Sequence, residues 1–593
     1  MSIRLNRNWL PVGLLVLISI SGCRKDEVQE DVAVGVASHK IQLDPAKQKL
    51  IWDAEHVTFE FEYRFGKAFL ASWKARDRES MAAHCNDGFI GTHPSASATT
   101  EKQQADVSEK LWKSELTGDQ EIDTAGLADY LVRLLDPFEQ LDSIAIRVTR
   151  IERQQDSENS WWVQFMITIR GRSAGGQLAI NESIHEVEFT FSSDETIATE
   201  RILRSWRVRS VSLRTTKRSL FREVTSEYGL DQVSLPDNWT LEPHRAFSYR
   251  FQLAVDDYDL DGYADIAVSS YDGHPILLKS IRGRRFEDVA PLLELKNWSR
   301  AAQRPPPNKL VNNVVAWVDY NNDGYPDLLM GPYFYRNNKG NSFVDVTQES
   351  GLQMKRDPMG VAVVDYNQDG LLDLYIYYEV SEELPSEGEV RPWIGDDLSG
   401  ASNQLWQNNG DGSFRDVTQA SRSGAGKRKT TAVNWFYFDD DHYPDLYLAN
   451  DFGTNVLLRN KGDGTFEDIS AQTGTSDYST SMGVATGDLD NDGYPEIYIA
   501  NMFSKMGRRI IAQVEKDDYP GSIYEQIKGS CAGNRLYRRT GAEQRWEELS
   551  AEMGINRVGW AFSPAMFDLD GDGWLDIYAS TGFMSFDRRK PDG

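Results

Sequence analysis

The chain has 593 residues, enough for two or more domains, and with 40% hydrophobic and 11% aromatic residues it is too apolar for a disordered protein. A formal charge of −27 argues against nucleic acid, whose binders present basic stripes to phosphate, and disfavours anionic substrates unless a cation mediates.

At the amino terminus Arg4 and Arg7 precede a twelve-residue apolar run, Trp9 to Ile20, too short to span a bilayer but suited to a signal-peptide core. The residues that follow, Ile20-Ser21-Gly22-Cys23, resemble the lipobox of bacterial lipoproteins, in which the cysteine is lipidated and becomes the first mature residue. Residues 1–22 are therefore read as a lipoprotein signal peptide, Cys23 as the lipidation site and the charged, patternless 23–44 as a flexible tether. An ordinary secretory signal with a chance cysteine is the alternative. The expected location is extracytoplasmic, on the bacterial cell envelope at the outer membrane or cell surface, with the membrane as partner through the lipid.

Residues 45–215 form a first candidate domain. His56 to Cys85 carries apolar residues at helical spacing without a proline, and the alternating runs SIAIRVTRIE, SWWVQFMITIRG, SIHEVEFTFSS and LRSWRVRSVSLR read as strands. This order resembles the nuclear transport factor-like cone, an α+β fold whose interior pocket serves enzymes and non-enzymes alike. His84, Cys85 and His93 lack the paired spacing of a zinc site and are read as packing or surface residues. Cys85 and Cys531 are read as buried free thiols.

From residue 219 to 593 the chain repeats. An acid-rich nonapeptide recurs six times, beginning at Asp257, Asp319, Asp365, Tyr437, Asp488 and Asp568, with intervals of 62, 46, 72, 51 and 80 residues. Short apolar runs flank each copy, so the loop joins two strands. A second element, as in QLWQNNGDGSFRDVT and VLLRNKGDGTFEDIS, is a hairpin with a glycine-rich turn. Four strands per unit at this period predict a mainly β protein, a β-propeller of six four-stranded blades, or seven if one hides in the 80-residue interval. That interval reads more as a helical or irregular insertion. The orphan FREVT (Phe221 to Thr225) is expected to supply the last strand of the sixth blade and close the ring.

The nonapeptides match the first part of an EF-hand loop: oxygen ligands at positions 1, 3 and 5, glycine at 6 for the bend, a backbone carbonyl at 7 and a carboxylate at 9. The ligand sets read from the sequence are Asp257, Asp259, Asp261, Tyr263 and Asp265; Asp319, Asn321, Asp323, Tyr325 and Asp327; Asp365, Asn367, Asp369, Leu371 and Asp373; Asp488, Asp490, Asp492, Tyr494 and Glu496; and Asp568, Asp570, Asp572, Trp574 and Asp576. About five Ca²⁺ sites are expected. The fourth copy, with Asp439, Asp441 and Asp445, is the weak one: Tyr437 replaces the first carboxylate and His442 the glycine. The copies hold 21 carboxylates at positions 1, 3, 5 and 9, so much of the acidity belongs to ligands.

The succession of F-x-D-V-T, a Met-Gly approach, D-x-D-x-D-G-x-x-D-L-Y and L-x-x-N-x-G-D-G-x-F is similar to FG-GAP and VCBS-type repeats, and to bacterial relatives of the cartilage acidic protein family. The resemblance implies an integrin-like calcium propeller that works in recognition or adhesion, with a protein or glycan as ligand and no enzyme activity. The alternative is a calcium-dependent extracytoplasmic polysaccharide lyase or hydrolase. Against it, the chain has no nucleophile elbow, zinc motif or phosphate loop and eight histidines in all; His244 and His274 are read as loop residues.

Overall fold

The computed structural model describes residues 43–582, apart from 96–99, 105, 115–118, 156, 158, 218–220, 235–250, 271–273, 298–313, 356–357, 380–399, 520 and 541–544. The signal peptide, Cys23, the tether and His244 lie outside the described residues. The chain divides into two units: the first is Met1–Glu223 with Lys505–Tyr524, the second Val224–Ser504 with Glu525–Gly593.

In the first unit, α1 (Pro45–Phe59) starts at Asp44, whose carboxylate accepts from the Ala46 and Lys47 N–H groups. It continues through a π-helical turn, Glu60–Phe65, into α2 (Gly66–Lys74) and α3 (Arg78–Ala82). Phe61, Phe65, Phe69 and Trp73 recur every four residues and are fully buried. On a helix of 3.6 residues per turn that spacing drifts by about 40° per step. The wider π turn takes up part of the drift and keeps all four rings in one core.

That core is completed by β1 (Cys85–His93), β2 (Thr100–Gln104), β3 (Val107–Lys113), β4 (Gln120–Ile122), α4 (Thr124–Arg133), β5 (Gln140–Arg153), β6 (Ser160–Arg172), β7 (Leu178–Thr190) and β8 (Leu203–Thr216). The sheet runs β2-β3-β8-β7-β6-β5, with β1 parallel to β8 and antiparallel to β4. The expected helical part followed by strands is thus present, with one parallel pairing added. His185 lies wholly inside: Trp206 Nε1 donates to its Nδ1 (2.9 Å), so Nε2 carries the proton and donates to Ser183 Oγ (2.7 Å). His84 packs against Phe65 and Phe69, and His93 stacks on Tyr130 with its Nδ1 2.6 Å from the Pro94 carbonyl. Cys85 and Cys531 are buried, and neither forms a disulfide among the described residues.

The segment Lys505–Tyr524 is helical at Lys505–Ile511 and belongs to this first unit. Strand β5 is the sheet edge, and an edge leaves backbone groups unpaired. Here the Val148 N–H donates to Glu62 Oε1 (2.5 Å) and the Val148 carbonyl accepts from Arg509 Nη1 (2.8 Å). Arg509 is itself gripped by both carboxylate oxygens of Glu55 (3.1 and 2.7 Å).

The second unit is propeller-like. Four-stranded antiparallel meanders start at Phe251, Val315, Gly360, Thr430 and Tyr478, and a sixth sheet pairs Ala561–Phe567 with Asp576–Thr581. The fourth and fifth are joined where Asp451–Thr454 pairs with Tyr478–Thr480. The first strands of successive sheets pack on one another in chain order. Every acid loop joins the first two strands of its sheet, and the Asp-Gly hairpins join the third and fourth, so both lie at the same end of each meander. The 80-residue interval holds helices Lys505–Ile511 and Ile523–Ser530 and, among the described residues, no further sheet.

One expectation is corrected. Phe221–Val224 has no strand conformation, and Thr225 opens a turn. The turn that follows docks on the first sheet: the Phe286 N–H donates to the Tyr228 carbonyl (2.9 Å), and Leu230 and Val233 pack with Val268, Ile276 and Leu278. The Val346–Gly351 turn, which follows the same F-x-x-V-T motif, ends likewise at a left-handed glycine, Gly351, near the Phe414 carbonyl of the next sheet. At Phe221–Thr225 the motif keeps its turn but lacks the fourth strand that Phe286–Asp288, Phe343–Asp345, Phe414–Asp416 and Phe466–Asp468 form in their sheets.

Candidate metal centres in the acid loops

The bend of each loop is made by its own carboxylates. In the first, Asp257 accepts from the N–H groups of Asp261 (3.0 Å) and Gly262 (2.7 Å), and Asp261 accepts from Tyr263 (3.1 Å). The second, third and fifth repeat this with Asp319, Asp365 and Asp488 in the first position and Asp323, Asp369 and Asp492 in the fifth. In the sixth, Asp568 accepts from Asp572 and Gly573, and Asp572 from Trp574. In the second and third, Asn321 and Asn367 each accept from the position-5 N–H. The glycine at position 6 has φ between 83° and 93° in these five loops, a region closed to side chains.

Position 9 is a buried peg. Asp265 accepts from Tyr258 and Ser280, Asp327 from Tyr320 and Asn337, Asp373 from Tyr366 and Asn408, and Asp445 from Phe438 and Asn460, each pair tying the loop to the third strand of its own sheet. Burial pushes Asp265 up to about 6 and Asp327, Asp373 and Asp445 up to about 7, and it also raises Glu496. In the sixth loop Asp576 accepts from Leu569 (3.1 Å) and is exposed.

A divalent cation fits the donor set. Carboxylate atoms of Asp257, Asp259 and Asp265 lie within 4.8 Å of one another, as do those of Asp488, Asp490 and Asp492 and of Asp568, Asp570 and Asp572. Asp259 Oδ1 and Asp490 Oδ1 are buried and receive no hydrogen bond, a costly state unless a cation meets them. The remaining cluster of this kind among the described residues, His56, Glu60 and Asp194, is already paired: His56 with Asp194 (2.8 Å) and Glu60 with Arg64 (2.6 Å).

The fourth loop differs. Tyr437 is exposed, and His442 bends the chain at φ 67°, less extreme than the glycines, where a side chain is tolerated. Asp439 and Asp441 face Arg459 at 2.6 and 3.5 Å. Asp440, one place off the pattern, meets Tyr494 Oη at 3.5 Å.

Two sets of residues escaped the sequence reading. Asn337, Asn408 and Asn460 open the hairpin turns, and their side-chain amides donate to the preceding sheet's acid loop, at the carbonyls of Tyr258, Tyr320 and Tyr366 (2.8 Å each), and to their own loops at Pro326, Leu372 and Pro444. Position 2 of the loops points the other way, so that Tyr258, Tyr320, Tyr366 and Phe438 pack against Phe343, Phe414, Phe466 and Trp546 of the next sheet's hairpin. The recurring Asn before the glycine-rich turn was the available signal. The second set is Lys279, Arg459 and Arg538, one residue earlier in the hairpin register.

The FG-GAP-like repeat model matches residues 257–330, 319–376 and 437–499, which contain the first five acid loops. Cartilage acidic protein 1 of Xenopus tropicalis is 24% identical over 408 residues, covering 59% of this chain and 59% of that protein. The Homo sapiens protein of the same name is 25% identical over 403 residues, covering 59% and 58%. The chain thus spans less than two thirds of the length of the curated relatives it matches. A solved phenazine biosynthesis-related protein (phzb2) from Pseudomonas aeruginosa aligns with 32% of this chain and 93% of its own at 11% identity, with a TM-score of 0.15 that supports no argument. The chain carries FG-GAP-like repeats and is distantly homologous to cartilage acidic protein 1.

Proposed function

We propose that the protein is a calcium-stabilised recognition or adhesion module, held on the bacterial envelope by a lipid at Cys23 and binding a protein or glycan through its propeller-like unit. The observation that carries the calcium part is the pair of buried, undonated oxygens, Asp259 Oδ1 and Asp490 Oδ1, in loops whose other oxygens already shape the bend. Calcium takes six to eight hard oxygen ligands, which Asp257, Asp259, Asp261 and Asp265 and their counterparts would supply together with water and the position-7 carbonyl. When bound, the ion neutralises the position-9 pegs that burial disfavours as anions and ties the first two strands together.

The recognition part rests on the repeats and on the distant relatives, and among the described residues no helix is long and apolar enough to cross a membrane. Glycan-array and protein-array binding of the soluble chain, with and without a calcium chelator, tests it beside a reducing-end release assay on polysaccharides. Calcium-dependent binding without release is expected; release of reducing ends would replace the module with an enzyme.

A further inference from the structure

We infer that Lys279, Arg459 and Arg538 are built-in counter-ions that set the calcium affinity of their own acid loops; this rests on the calcium reading above. Wherever position 3 is an aspartate and its hairpin is described, the third strand of the same sheet sends a basic side chain to it. Lys279 pairs with Asp259 and lies 3.4 Å from Asp261. Arg459 meets Asp439 at 2.6 Å and Asp441 at 3.5 Å, and Arg538 meets Asp490 at 3.2 Å and Glu496 at 2.9 Å. Where position 3 is asparagine, the matching hairpin residue does otherwise. Gln407 accepts from Tyr366 Oη (3.3 Å) and Arg415 Nη2 (2.9 Å), and Arg336 is exposed.

The balance is consistent across the loops. The first and fifth carry four carboxylates at positions 1, 3, 5 and 9 and one internal cation, a net −3; the second and third carry three carboxylates and no paired base, again −3. The fourth has three carboxylates and Arg459, a net −2. Asp259 and Asp490 give Oδ2 to the base and keep Oδ1 buried and undonated. Asp439 Oδ1 accepts from the Asp441 N–H (3.2 Å), and its Oδ2, 2.6 Å from Arg459, is buried and receives no hydrogen bond.

A fixed positive charge beside a divalent ion repels it. In the first and fifth loops the base offsets the extra carboxylate, so that these loops hold calcium about as tightly as the second and third; the fourth, at −2, does without it, and in all three the base keeps the acids compensated when calcium is scarce. A competition titration with a fluorescent calcium chelator on the full soluble chain resolves the sites by affinity. Lys279→Gln and Arg538→Gln should each tighten one equivalent by roughly tenfold or more, and should lower the melting temperature measured without calcium. The double variant Asp259→Asn with Lys279→Gln, which copies the third loop, should return that equivalent to the parent affinity and guards against a misfolded single variant. Calcium uptake with unchanged affinities in both single variants overturns the inference alone. No calcium uptake by any form overturns the calcium reading and the inference with it.

Discussion

Replacing Asn408 by alanine tests the link between neighbouring sheets. Asn408 is 1% exposed, and its side chain donates to the carbonyls of Tyr320 (2.8 Å) and Leu372 (3.2 Å) while its Oδ1 accepts from the Gly410 N–H (2.9 Å). The backbone bond from its N–H to Asp373 survives the substitution. Two carbonyls and one N–H lose a partner. At about 1 kcal/mol for each group that water reaches poorly, the loss is about 3 kcal/mol. The second unit has about 350 residues, so its unfolding entropy is about 0.7 kcal/mol/K and the transition should fall by about 4 °C. Differential scanning calorimetry in saturating calcium reads this shift, with Asn409→Ala as control: Asn409 is exposed and bonds only locally, to Ser413 (3.0 Å), and should move the transition by less than about 1 °C. Equal shifts in the two variants would refute the claim that the hairpin asparagine couples one sheet to the preceding loop.

Burial holds His185 down to about 3, so between its ordinary value near 6.5 and that point the unfolded chain takes up a proton that the folded chain does not. Stability of the first unit therefore falls as pH drops below about 6.5, by up to about 1.4 kcal/mol per pH unit, and melting curves of His185→Gln should show a shallower slope between pH 6 and 4. Arg509→Ala strands the Glu55 carboxylate and the Val148 carbonyl and should cost about 3 kcal/mol; the pair Arg509→Met with Glu55→Gln should recover part of it, and limited proteolysis within 505–524 reports both. Metabolic labelling with a fatty acid should mark the protein and be lost in Cys23→Ala; equal labelling of the variant would remove the lipid anchor from the account.

The acid loops and hairpins were legible because their signals are local. Asp-x-Asp-x-Asp-Gly fixes a bend within nine residues, and both the loop position and the strands on either side lie where that spacing puts them. The departure of the fourth loop from the pattern was legible at Tyr437 and His442. Its ion pair with Arg459 stands outside the nonapeptide and needed the strand pairing that brings residue 459 opposite residue 467 and beside the loop. Asn408 shows the same limit over a longer range, since its partner Tyr320 is 88 positions away. FREVT misled because the motif belongs as much to the turn after it as to a strand. Lys505–Tyr524 belongs to the first unit, where Arg509 reaches Glu55, 454 positions earlier, a pairing no periodicity announces.

The central claim is that the acid loops hold calcium and that the fourth does not. Equilibrium dialysis of the purified soluble chain against buffered Ca²⁺, followed by metal analysis, measures it directly. The account predicts about five ions per chain, one fewer in Asp570→Ala and no change in Asp439→Ala. A chain that retains no calcium, or equal loss of one ion in both variants, would contradict it.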